Sequence, residues 1–223
     1  MNVFIKNTYW KRTKPSNKIL VIVPGAGTYA NRFAYNNIKS EIIYVGKTGG
    51  KYDKYPQNWQ NNQNVSTSGH NLGGLYLEVE KIIKSGIIPK TIICGSRGAQ
   101  VTIGKVWQNI WRGPTIIFNA GSLTTKTIIP KGVLPLFITM GHDYFNSVNK
   151  LSKVIKLFYK NIEDPAQKAL FIHFTNEYHQ PKLNFNYNNF LDECINLLSG
   201  KLCLDYFDKY NINIHNIIIK STF

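Results

Sequence analysis

Cysteine is scarce in this chain: Cys94, Cys194 and Cys203 are the three among 223 residues. An odd number at irregular spacing rules out a disulfide framework. The lack of a CxxC pair removes the usual sequence signs of structural zinc or dithiol redox chemistry. Free thiols in a reducing compartment are the expectation. Acidic side chains are also few, 12 against 27 Lys and Arg, which leaves a formal net charge of +15. The basic residues do not cluster; they run from Lys6, Lys11, Lys14 and Lys18 through Lys81 and Lys84. No RNA-binding signature or helix-turn-helix pattern accompanies them, so diffuse charge is thin support for a nucleic-acid partner. Abundant Asn, Ile and Lys is a bias that AT-rich coding produces by itself. The positive surface also suits an anionic substrate or a lipid headgroup surface. No apolar run reaches the about 20 residues of a membrane span. The opening MNVFIKNTYWKRTKP has no apolar secretory segment, so a soluble, cytoplasmic protein is expected.

Hydrophobic residues make up 43% and charged residues 17%, a globular balance, and the length suits one α/β domain with a buried core. Apolar runs and helical patterns alternate. KILVIVPG (18–25) and SEIIYVGKTGG (40–50) read as strands flanking a helix at 29–38. A polar stretch at 51–71 reads as a long loop, of a length that in compact domains is often functional. GGLYLEVEKIIKSG (73–86) sets Leu75, Val79, Ile82 and Ile83 on one helical face. TIICGS (91–96) is a strand followed by a helix to Trp111, and two more strands follow at 113–122 and 132–143. A helix at 147–161, a strand at 168–174 and a helix at 190–198 complete the pattern, with the tail NINIHNIIIKSTF readable as an extra strand. The alternation predicts one domain over 1–223: a doubly wound, mostly parallel sheet of about six to seven strands with helices on both faces.

In such sheets ligands bind beyond the carboxyl ends of the strands. Those ends carry Pro24-Gly25-Ala26-Gly27, Ser96-Arg97, His142-Asp143 and, a few residues past the last strand, His179. Serine becomes a nucleophile when a neighbouring base takes its proton, and imidazole suits that task because it titrates near neutrality. A buried carboxylate then holds the imidazole in one tautomer and stabilises the imidazolium.

CGSRG (94–98) resembles the nucleophile elbow, G-x-S-x-G, of the α/β-hydrolase family, with Cys94 at the first Gly position. The resemblance makes Ser96 the nucleophile, Asp143 the acid and His179 the base, in the family's chain order. ILVIVPGAG (19–27) resembles the family's oxyanion segment, with Pro24 where His is common. By that alignment Ala26 or Gly27 gives one oxyanion N–H and Arg97 the other, at a helix start whose dipole favours negative charge. The short link from 122 to 132 leaves no room for a cap domain. The implied activity is hydrolysis of an ester or thioester on a small-molecule or acylated substrate, with no metal or cofactor. Oligomeric state is not legible.

Each residue has a plainer reading. Ser96 or Asp143 could simply cap the helix that follows. Asp164 is a rival acid, but it precedes a strand and belongs at the other end of the sheet. His173, inside FIHF, reads as a core histidine, and His70 and His215 are weaker base candidates. GKT (46–48) is no P-loop, since Glu41 stands where Gly is required, and HNLGG (70–74) offers no second metal ligand at useful spacing. Cys94 is expected to point into strand–helix packing, and Tyr55 and Trp59 lie in the polar loop beside the site. Two rivals to the hydrolase remain: a related protein that has lost catalysis and binds a ligand, motivated by Pro24, Cys94 and Tyr178, and a basic nucleic-acid binder whose affinity falls steeply with salt.

Overall fold

The computed structural model describes residues 4–5, 8–9, 19–23, 41–45, 70–120, 123–143, 151–167, 169–179, 194–195, 198 and 217–220. A short antiparallel pair, β1 (Phe4–Ile5) and β2 (Thr8–Tyr9), stands apart from the main sheet. The main sheet contains β3 (Ile19–Val23), β4 (Glu41–Tyr44), β5 (Thr91–Gly95), β6 (Pro114–Phe118), β7 (Leu134–His142), β8 (Leu170–Tyr178) and β9 (Ile217–Lys220). Their order is β4-β3-β5-β6-β7-β8-β9, and every neighbouring pair is parallel. Among the described residues lie the helices α1 (His70–Lys84), α2 (Arg97–Val101), α3 (Trp107–Asn109) and α4 (Leu151–Asn161), with further helical residues at 194–195 and 198. A parallel sheet with helices packed on it defines the α/β class.

The central strands read as unbroken apolar runs because both of their faces are covered. All of β6 is buried, and β5 is buried up to Gly95. Alternate residues feed opposite faces. On one face Ile92, Cys94, Ile117, Phe137 and Phe171 join Leu75, Val79 and Ile83 of α1, Trp107, Trp111, and Val154 and Phe158 of α4 in one core. Phe137 stacks on Phe171 with centroids 5.5 Å apart, and Phe158 meets both edge-on. The alternate residues Ile93, Ile116, Leu136, Ile138, Met140 and Ile172 are buried as well.

A π-helical turn, Thr102–Val106, joins α2 to α3. Beyond it Trp107 and Trp111 lie fully buried, and both indole N–H groups donate to the Thr115 hydroxyl at 3.2 Å. That hydroxyl in turn donates to the Gly113 carbonyl at 3.2 Å. One threonine therefore satisfies the polar edges of two buried tryptophans.

Several boundaries differ from the sequence expectation. Helix α1 starts at His70, so that histidine opens a helix instead of lying in a loop. The last central strand continues past 174 to Tyr178, because its pairing with β7 resumes after an irregularity at Met140/His142. The tail contributes β9, parallel to β8. The helix expected at 29–38 and the loop at 51–69 lie outside the described residues. Among the described residues no helix is long and apolar enough to cross a membrane.

Candidate functional site

Ser96 follows β5 directly and precedes α2. Its backbone sits at φ 50° and ψ −112°, a left-handed conformation that side chains with a Cβ rarely adopt. Its N–H donates to the Phe118 carbonyl at 3.0 Å, and its carbonyl accepts from the Gln100 N–H at 3.3 Å, so the strained turn is fixed at both ends. The Ser96 side chain makes no capping hydrogen bond to α2. The plain capping role is therefore not the one this serine performs. The fit beside it is tight at Gly95, where a Cβ would come within 3.3 Å of Phe118 Cβ. Arg97 opens α2, which puts its amide among the first helical N–H groups that lack an intrahelical acceptor.

Asp143 follows β7 and His179 follows β8. The register between these strands explains how they meet. Thr139 pairs with His173 and Met140 with Phe174, but His142 pairs with Tyr178, so β8 carries two extra residues at this point. The close approach at this point is visible at Gly141, where a Cβ would collide with the Thr175 carbonyl. Only glycine lets the backbone of β8 approach so closely. The slip lifts His179 level with Asp143, and His179 Nδ1 lies 2.8 Å from Asp143 Oδ2. The Asp143 side chain is fully buried, whereas that of His179 is 19% exposed. With Asp143 as a carboxylate, Nδ1 is the donor and Nε2 is the unprotonated nitrogen. A buried carboxylate of this kind needs its partner, since a lone buried charge is expensive.

Sequence reasoning missed Asn119. It follows β6, between the strands that end at Ser96 and Asp143, and is only 2% exposed. Its φ is 52°, also left-handed, a conformation that Asn tolerates better than most residues. Its N–H donates to the Ile138 carbonyl at 3.0 Å, and Nδ2 donates to the His179 carbonyl at 2.7 Å. The only signal was a polar residue ending the apolar run PTIIF, followed by small residues.

The remaining candidates sort by position. His173 Nδ1 lies 2.8 Å from the Thr139 hydroxyl within the sheet, and burial holds its imidazole below the ordinary value. Asp164 pairs with Lys131 at 3.3 Å and accepts from the Ala166 N–H, in the turn that leads into β8 and so away from Asp143. Cys94 is buried and its Sγ lies 3.6 Å from the Ile116 carbonyl; burial pushes the thiol up to about 12. It is no nucleophile. His142 stacks on Tyr178 with centroids 5.2 Å apart, beside the Asp143–His179 pair. Pro24, Ala26, Gly27, Tyr55, Trp59 and His215 lie outside the described residues. Among the described residues no group of three or more His, Cys, Asp or Glu could hold a metal ion.

The arrangement can supply a hydroxyl on a strained turn, and a carboxylate-bound imidazole, along the carboxyl edge of consecutive parallel strands. No protein-family model and no curated protein matches this chain.

Proposed function

We propose that this chain is a serine hydrolase of the α/β-hydrolase kind: a single, capless, doubly wound domain of six to seven strands that cleaves a carboxylic ester or thioester. Ser96 is the nucleophile, His179 the general base and acid, and Asp143 the orienting carboxylate. The observation that carries the reading is the 2.8 Å Asp143–His179 bond on the same sheet edge as a serine held at φ 50°. A serine kept in a costly backbone conformation without capping its helix is hard to explain as a mere turn.

In this mechanism His179 Nε2 removes the Ser96 proton as Oγ attacks the substrate carbonyl carbon. The N–H groups of Arg97 and of Ala26 or Gly27 hold the resulting oxyanion. Collapse expels the alcohol or thiol, which takes its proton from His179, and leaves an acyl-Ser96 ester. Water, deprotonated by the same imidazole, then releases the carboxylic acid and restores Ser96. The carboxylate of Asp143 keeps Nε2 unprotonated at the start and stabilises the imidazolium that forms. The buried free thiol of Cys94 suits a reducing, cytoplasmic setting.

The test is labelling with a fluorophosphonate probe, in which Ser96 Oγ displaces fluoride from phosphorus. Native protein should label, Ser96→Ala not at all, and His179→Ala slower by about three to four orders of magnitude. Folded native protein that stays unlabelled would remove the reading's main support.

A further inference from the structure

We propose that Asn119 is a positioning residue for His179, acting through the backbone carbonyl of that histidine. The inference rests on His179 being the base and deepens that reading.

His179 stands just past the end of β8, where the ladder no longer holds its main chain. The carboxylate on Nδ1 fixes the ring at one atom and does not itself fix the main chain that carries it. The second hold is the Asn119 amide, whose Nδ2 donates to the His179 carbonyl at 2.7 Å. One bond grips the ring at 2.8 Å and the other grips the backbone. Together they set both the position and the rotation of the imidazole, and hence the direction of Nε2. Asn119 can do this because it is itself anchored, with its own N–H bound to the Ile138 carbonyl of β7 at 3.0 Å. Its side chain thus reaches past the end of β7 to the residue that follows β8.

The cost of Asn119 argues against a stabilising purpose. It occupies φ 52°, and its Oδ1 is buried with no hydrogen-bond partner among the described residues. Each feature is unfavourable by itself. Glycine would serve the backbone better, and a small apolar residue would leave no buried acceptor. What neither could provide is a donor aimed at the His179 carbonyl. A glutamine would overshoot and an aspartate would set two acceptors face to face. The geometry therefore selects asparagine for the one contact it makes across the sheet end.

The experiment compares native protein with Asn119→Gly, which keeps the left-handed backbone, and Asn119→Asp, which keeps the shape but not the donor. Fluorophosphonate inactivation is resolved into a binding constant and a maximal rate per folded molecule. The maximal rate should fall about ten- to a hundredfold in both variants, with probe binding unchanged. A residue that only stabilised the fold would lower the folded fraction and leave that rate alone. In parallel, the downfield NMR signal of the His179 Nδ1 proton, assigned by its loss in His179→Gln, should broaden or vanish in both variants. A native maximal rate in both, or an unchanged Nδ1 proton signal, overturns the proposal. If native protein fails to label, the hydrolase reading falls, and the NMR comparison still decides whether Asn119 holds His179.

Discussion

Replacing Ser96 by glycine should yield a protein more stable than replacing it by alanine, although alanine is the smaller chemical change. Both variants lose the hydroxyl, and neither loses a helix cap, because the Ser96 side chain makes none. What separates them is the backbone at φ 50° and ψ −112°. Alanine keeps the Cβ and therefore the strain, which for such conformations is about 1–3 kcal/mol. Glycine relieves it, but gives the unfolded chain extra freedom that offsets about 0.4–1 kcal/mol. The difference should favour Ser96→Gly by about 0.5–2 kcal/mol. For a chain of this size that is a rise in Tm of about 1–8 °C over Ser96→Ala. Urea unfolding followed by tryptophan fluorescence measures it directly, with both variants unreactive toward the phosphonate probe. An alanine variant as stable as the glycine variant would mean that the turn stores no strain. Ser96 would then carry no backbone cost for a nucleophile's role to explain.

Three further outcomes follow from particular contacts. Gly141→Ala should misalign β8 against β7, because its Cβ meets the Thr175 carbonyl, and should cut phosphonate labelling about a hundredfold through displacement of His179; native labelling would refute the role given to the register slip. Thr115→Val keeps the shape but strands two buried indole N–H groups, at about 1–3 kcal/mol each, so urea denaturation should show a loss of about 2–6 kcal/mol that Thr115→Ser largely avoids. His173 titrates below its ordinary 6.5 in the folded protein because partial burial disfavours its charged form. The unfolded chain therefore takes up the proton first as pH falls, so this stabilisation is complete above about pH 6.5 and is lost as pH drops through the folded value; His173→Asn should show a shallower fall of the urea midpoint on the acid side.

The strands that end at Ser96 and Asp143 were legible because a buried parallel strand must be apolar throughout. Its end is then marked by the first small or polar residue, as in TIICGS and LPLFITMGHD. The serine stood out because strand, turn and helix signals meet there. His179 was visible only as a histidine near a strand end, since the slip opposite Gly141 leaves no mark in hydrophobic alternation. A glycine inside a strand is compatible with a bulge, a close approach or neither. Asn119 was hidden for a related reason. Asparagine after a strand is ordinary turn chemistry, and nothing local shows that its amide meets a residue 60 positions later. His70 looked like loop because the glycines of HNLGG mask a helix start.

Ser96 and Asn119 share more than their left-handed backbones, and the common cause lies in the sheet. Each leaves a parallel strand and is immediately caught by its neighbour: the Ser96 N–H by the Phe118 carbonyl of β6, the Asn119 N–H by the Ile138 carbonyl of β7. The Asn119 side chain carries the sequence onward to His179, and His179 returns it to Asp143. The bonds thus run sideways across the ends of β5, β6, β7 and β8, each resting on a strand whose interior is buried. Relaxing such a turn pulls on the neighbouring strands, and parting them would expose Ile93, Ile116, Ile138 and Ile172 to water. The energy that keeps Ser96 in its unfavourable conformation therefore comes from the hydrophobic core beneath it. For the same reason the geometry of Ser96, Asp143 and His179 depends on the strand ends themselves.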